Sequence, residues 1–306
     1  MVYPPSRHAR TAIISRITSL LVLSLSILLT ACNIGIGGGS GTSSSDSWNT
    51  TIGSGAQGLQ VYVEPDAGDG FLLDGINNAQ KSVYLEMYLL TDRKIVSALE
   101  DAAHRLDVHV MLETHPYGSG SASVTTTLNK LQAAGANAKA TSPNFSLTHE
   151  KGMVVDGNTS YIMTSNFTLS ALGGSSSTTN REYDIIDKNP QDVQGMTDIF
   201  NADWNRTTAQ FNDSNLVVSP VNSRSDFTSL INSAHHTLLI EAEEMQDSNI
   251  EQAITGAAQR GVHVQVILPA PSGSSTDSNS SGIDTIKQAG VQVRLQRGQR
   301  DIQDRA

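Results

Sequence analysis

Residues 149–156 read HEKGMVVD, with a histidine, a lysine and an aspartate at i, i+2 and i+7 and the apolar run Met153, Val154, Val155 between them. Thr164 and Asn166 follow in MTSN (163–166), and the triplet NRE at 180–182 adds Asn180 and Glu182. These residue types suit chemistry at phosphorus. Charge grows on the non-bridging oxygens of a phosphodiester during displacement, so a site needs fixed cations and hydrogen-bond donors. Along a strand i and i+2 share a face, so His149 and Lys151 point together while Glu150 points away. An imidazole can attack phosphorus or carry a proton, and a lysine can sit on a phosphate oxygen as a point charge. After a turn around DGN (156–158) the strand SYIMTSN would run back, placing Thr164 and Asn166 as donors. A carboxylate such as Glu182 would hold the imidazole Nδ1–H, fixing the tautomer and making the other nitrogen more nucleophilic. A lone His-x-Lys is ordinarily surface decoration, and Thr164, Asn166 and Glu182 also fit hairpin or cap positions. The ordered series of elements is what favours a site.

The elements that must position these residues occur twice. SVYLEMYLLTDRKIVSALEDAAHRLDVHVML (82–112) matches TLLIEAEEMQDSNIEQAITGAAQRGVHVQVIL (237–268). At one offset of 155 residues, Glu86 meets Glu241, Ile95 meets Ile250, Ala102-Ala103 meet Ala257-Ala258 and Arg105 meets Arg260. The offset returns in LQAAGANA (131–138) against IKQAGVQV (286–293). Each copy reads strand, amphipathic helix, strand, loop, helix, strand, the alternation of an α/β fold. The same offset carries His149 to Asp304, and the chain ends at Ala306. The second copy therefore stops where its own His-x-Lys would fall, and it lacks the later strands and helix of the first. This favours a fragment or an early-terminated form of a two-motif protein. A complete chain would instead need a homodimer to bring two copies of His149 together.

HEKGMVVD, MTSN and NRE, in that order, resemble the hallmark of the phospholipase D superfamily, H-x-K-x4-D followed by G-S-x-N and an N-x-E-like element. Met163 stands where the family has Gly, and Thr164 where it has Ser. FNADW (200–204) and the stretch at 219–234 are also similar to bacterial members, so the resemblance runs from about residue 59 to the end. It implies an α/β fold of two tandem phospholipase D-like repeats, each a mixed β-sheet flanked by helices, the second incomplete. The expected division is a first repeat over 59–212 and a second over 213–306. The resemblance further implies a phosphohistidine at His149, phosphate binding by Lys151, Thr164 and Asn166, and a catalytic role for Glu182. Asp156 and Asn180 belong to the motif structurally, and neither cofactor nor metal is required. The acidic run EAEE (241–244) reads as a strand end, with Glu241 and its repeat partner Glu86 pointing toward the region between the repeats rather than holding a cation.

Ahead of the repeats, Arg7, Arg10 and Arg16 precede the apolar LLVLSLSILL (20–29) and then Thr30-Ala31-Cys32. That is the pattern of a secretory signal, and LTAC resembles a bacterial lipobox, which makes Cys32, the only cysteine, the expected lipidation site. Residues 1–32 thus read as a lipoprotein signal. The Gly/Ser-rich 33–58 reads as a flexible tether on a protein anchored outside the cytoplasm. Without its three signal arginines the chain holds 17 basic against 30 acidic side chains, a net charge of −13, which disfavours broad binding of nucleic acid. The expected substrate is a phospholipid headgroup. Two other readings stand beside it: a metal-independent nuclease of the same superfamily, and a catalytically incomplete, membrane-tethered phosphate-binding protein.

Overall fold

The computed structural model describes residues 58–117, 120–175, 179–210, 213–271 and 277–296, with only the backbone at 121 and 122. The signal-like segment, Cys32 and the tether up to residue 57 lie outside the described residues. Among the described residues no helix is long and apolar enough to cross a membrane.

In chain order the elements are β1 (Gln60–Glu64), α1 (Gly70–Asn78), β2 (Ser82–Met87), α2 (Arg93–Ala103), β3 (Asp107–Leu112), α3 (Ser121–Ala133) and β4 (Asn137–Ala140). There follow β5 (Lys151–Val155), β6 (Thr159–Met163), β7 (Glu182–Asp187) and α4 (Pro190–Asn205). The second group is α5 (Ser223–Ser233), β8 (Thr237–Glu241), α6 (Ser248–Gln259), β9 (His263–Pro269), α7 (Ser280–Gln288) and β10 (Gln292–Gln296). Seven strands form one mixed sheet in the order β1-β7-β6-β5-β2-β3-β4, parallel from β2 to β4 and antiparallel elsewhere. Three form a parallel sheet, β10-β9-β8. The mixed α/β fold is the one expected.

Alternation along the strands decides which face each side chain takes. Val83, Leu85, Met87, Val108, Val110, Met153 and Val155 join the core that α1 and α2 cover. Val154 points the other way, into a smaller cluster with Val193, Met196 and Ile199 of α4. The large sheet thus lies between α1–α3 and α4.

The repeat holds at the level of single hydrogen bonds. In α2 the buried Ile95, Ala98, Leu99 and Ala102 recur at helical spacing, and Asp92 caps the helix by accepting from Lys94 N and Ile95 N. In α6 the cap is Asp247, accepting from Asn249 N and Ile250 N, with Ala253, Ile254 and Ala257 buried. Arg105 donates to the carbonyls of Asn77 and Ala79, and Arg260 to those of Ile231 and Asn232, so each guanidinium serves the open end of a preceding helix. The groups differ in cover. Among the described residues no strand pairs the outer edge of β8, and no helix covers the face where Leu239 is exposed.

The hairpin that follows the His-x-Lys segment turns at Asp156 and Gly157, both with positive φ, and Asn158 N–H donates to Val155 O at 3.1 Å. Such a turn matches the twist of the two strands, and Asp tolerates its left-handed conformation. The Asp156 carboxylate accepts the N–H groups of Gln80, Lys81 and Ser82 at 3.0, 2.6 and 3.1 Å, which ties the turn to the start of β2. Burial alone would raise its pKa, but these amides and the charge of Lys81 hold it below the usual carboxylate range. Asp156→Ala should cost about 1–3 kcal/mol in chemical denaturation at neutral pH, since three amides lose their acceptor. Asp156→Asn should cost less. Because the folded pKa is depressed, the contribution is present above the unfolded value of about 4 and is lost as pH falls through the folded one. The stability gap between wild type and Asp156→Ala should therefore narrow in acid.

Candidate functional site

Lys151 opens β5 opposite Met87, the last residue of β2. The pairing runs one step further, since Tyr88 N–H donates to Glu150 O at 3.0 Å, and this keeps the backbone extended through His149. His149 and Lys151 therefore share a face. Lys151 Nζ donates to His149 O at 2.9 Å and lies 3.3 Å from His149 Nδ1. The Tyr88 ring stands edge-on to the imidazole at 4.4 Å between centroids, and Nζ lies 5.4 Å from the same ring centroid. Tyr88 Oη accepts the Tyr117 N–H at 2.6 Å.

Lys151 is only 7% exposed, whereas His149 reaches solvent. Burial lowers the lysine pKa, opposed by the charges of Glu182 and Glu243. Burial and the Lys151 charge lower that of His149, opposed by Glu243 and Glu244. Both glutamates lie just beyond β8, so the second repeat faces the site of the first.

Glu182 opens β7 and sits across from Glu64 of β1. Its Oε2 accepts from Thr164 Oγ1 at 2.7 Å and its Oε1 from Asn180 Nδ2 at 3.3 Å. Thr164 Oγ1 in turn accepts the Tyr183 N–H at 2.8 Å. Burial raises the Glu182 pKa, with Asp184 adding to it and Thr164, Asn180 and Lys151 opposing. Asn166 follows in the same loop with its Oδ1 buried and without a partner among the described residues. Asp184 fixes that loop from below, accepting from Ser165 Oγ at 2.6 Å and from the N–H groups of Thr164 and Ser165 at 3.2 Å.

The structure thus gathers His149 and Lys151 into one group and Glu182, Thr164 and Asn180 into another, linked by the attraction between Glu182 and Lys151. One expectation is corrected. Glu182 does not hold the His149 Nδ1–H: the Lys151 ammonium stands at that nitrogen, and both oxygens of Glu182 are engaged by Thr164 and Asn180. A second correction concerns Glu86. It does not point between the repeats but lies buried under α4 with Glu150 and Asp203, because its place in β2 sends it to that face. Glu241 does meet the first repeat, accepting from Tyr183 Oη at 2.6 Å.

Sequence reasoning missed Tyr88, Glu113, Asp184, Glu243 and Glu244. Glu113, just past β3, accepts the N–H groups of Thr148 and His115 at 3.0 and 2.9 Å, and so fixes the residue before His149. Burial would raise its pKa, but these amides, with Thr114 N–H and the Thr141 hydroxyl, bring it below the usual range. The 155-residue offset carried a usable signal for two of the others. It pairs Tyr88 with Glu243, each just beyond the end of an equivalent strand.

An ammonium can only donate, so Nδ1 beside it must accept and the imidazole proton sits on Nε2. In this state His149 can give a proton through Nε2. For Nε2 to attack, the proton must pass to Nδ1 and Lys151 must be drawn away, as a phosphate oxygen would draw it. Nitrogen-15 NMR of the neutral imidazole should therefore show the Nε2–H form, and Lys151→Met should bring up the Nδ1–H form.

No curated protein matches the chain. A family model described as "Cardiolipin synthase, PLD-like domain" matches residues 72–204 and 227–304. Among solved structures, phosphatidylserine synthase from Haemophilus influenzae is similar at 12% identity and a TM-score of 0.57, over 78% of this chain and 72% of that one. Polyphosphate kinase from Porphyromonas gingivalis is similar at 17% identity and a TM-score of 0.56, over 78% of this chain and 41% of that one. Nuc, a phospholipase D family member from Salmonella typhimurium, is similar at 25% identity and a TM-score of 0.42, over 50% of this chain and 98% of that one. The chain thus spans less than half the length of the polyphosphate kinase. With the family match covering most of both groups of elements, the chain belongs to the phospholipase D superfamily, whose members are phosphodiesterases and phosphotransferases.

Proposed function

We propose that the protein is a phosphodiesterase acting on phospholipid headgroups. With its proton moved from Nε2 to Nδ1, His149 Nε2 attacks phosphorus, the bond from phosphorus to the headgroup oxygen breaks, and the leaving oxygen takes a proton from solvent water. Water or a second alcohol then attacks the phosphohistidine and gives its proton to solvent, the bond from phosphorus to nitrogen breaks, and the neutral imidazole is restored. Lys151, Thr164 and Asn166 bind the phosphate oxygens, and Glu182 balances the lysine charge. The observation that carries the reading is the pairing of His149 with a buried ammonium at 3.3 Å, beside a carboxylate pinned by Thr164 and Asn180.

A lipid rather than a nucleic acid is favoured by the rim. Tyr117, whose amide binds Tyr88, is 93% exposed, and Phe145 and Leu147 are exposed on the segment leading to His149. Apolar side chains held out beside a polar site suit an interface between water and hydrocarbon. Glu243 and Glu244 facing His149 favour an alcohol that carries a cation, and the acidic balance of the chain disfavours a polyanion. An acyl anchor at Cys32, holding the protein outside the cytoplasm, would keep the site at its substrate.

Release of choline or ethanolamine from phospholipid vesicles tests the proposal. His149→Ala should lower turnover by about 10³-fold or more, and Lys151→Ala by about 10²-fold or more. Cleavage of plasmid DNA with vesicles left intact would move the substrate to nucleic acid. Phosphate binding without turnover of either would leave a phosphate-binding protein.

A further inference from the structure

On the far side of the strand that carries His149 and Lys151 lies a polar cluster that the phosphodiester reading does not use. Glu150 alternates with those two residues and so points toward α4. There its carboxylate meets those of Glu86 from β2 and Asp203 from α4, with one oxygen from each lying within 4.8 Å of the others. Glu86 is 1% exposed, and neither of its oxygens has a hydrogen-bond partner among the described residues. The space is built in. Gly152 is the cross-strand neighbour of Glu86, and a Cβ there would stand 2.5 Å from Glu150 Oε1 and 3.1 Å from Met196 Cε.

Two buried, unpartnered carboxylate oxygens beside two further carboxylates cannot all be ionised without a compensating charge. Among the described residues no lysine, arginine or histidine acts on any of the three; the charges acting on Glu86 are Glu150 and Asp203 themselves. Only protons or a bound cation can neutralise such a group. We propose that Glu86, Glu150 and Asp203 bind a hard divalent cation of the class of Ca²⁺, Mn²⁺ or Mg²⁺. The donor set is all oxygen, which such ions select, and it contains neither the nitrogen nor the sulfur that softer ions prefer. Glu86 closes the bottom of the site, while the partly exposed Asp203 lies toward water. The ion would tie β2, β5 and α4 together behind the reactive pair and take no part in the reaction. In its absence protons take its place: burial and the neighbouring carboxylates push Glu86 up to about 9 and Glu150 to about 7, and burial raises Asp203.

The test uses the purified full chain, stripped with a chelator, desalted, and titrated with Mn²⁺, Ca²⁺ and Mg²⁺ by calorimetry and thermal melting. One ion should bind per chain, and Tm should rise by about 3 °C or more at saturation. Glu86→Gln and Asp203→Asn should each weaken binding at least tenfold and remove the rise, while Glu243→Gln should leave both unchanged. If Glu86→Gln does not fold, the more exposed Asp203→Asn decides. Absence of binding and of any Tm shift with all three ions at millimolar concentration would overturn the site in favour of protons alone. Binding that survives Asp203→Asn undiminished would overturn it equally.

Discussion

The buried ammonium of Lys151 sets the terms for everything around it. A charged amine removed from water is costly unless acceptors and opposite charge compensate for it. The carbonyl of His149 accepts one of its hydrogens, the face of Tyr88 lies near it, and Glu182 and Glu243 supply opposite charge. Its position comes from strand pairing, because Lys151 opens β5 against the last residue of β2. Its compensation comes from a different part of the sheet. Glu182 opens β7, two strands away from β5, and Thr164 and Asn180 prevent it from swinging out to solvent. Sheet order is therefore what makes the amine tolerable, and the imidazole inherits its own state from the amine.

Two groups of elements solve the same packing problem with the same atoms up to a point. Asp92 and Asp247 cap equivalent helices, and Arg105 and Arg260 reach back to the ends of equivalent preceding helices. The solutions part on the opposite face. In the first group α4 lays Phe200 and Trp204 against Tyr84 and His109, with Lys139 over the indole. In the second, the position equivalent to Tyr84 is Leu239, exposed on a face that no described helix covers. The face that received a helix also received Glu86, Glu150 and Asp203. The uncovered face offers Glu241 to Tyr183 instead.

The fold was legible because its signals are local and doubled. Alternation in 82–87 and 237–241, helical spacing in 93–103 and 248–259, and the common offset all report on neighbouring residues. The pairing of His149 with Lys151 was legible for the same reason, being a matter of strand parity. Partners across the sheet were not. Glu182 was expected at the imidazole because residue type and order make that bond chemically sensible. Whether it reaches the imidazole at all depends on where an ammonium two residues from the histidine settles, and no pattern in the chain states that. Glu113 was hidden similarly, since its worth lies in a bond to the backbone of Thr148, 35 positions away.

Parity also separates two charged sets that share one short strand. His149 and Lys151 face Glu182, Glu243 and Glu244 on one side, and Glu150 joins Glu86 and Asp203 on the other. The charges acting on His149 are those of Lys151, Glu243 and Glu244, and those acting on Lys151 are Glu182 and Glu243. Glu150 is absent from both sets although it lies between the two residues in sequence. The strand thus points the rear carboxylates away from the reactive pair, and the charges nearest that pair come from the other face. A charge change behind β5, by proton or by ion, would reach that pair through the packing of β2, β5 and α4.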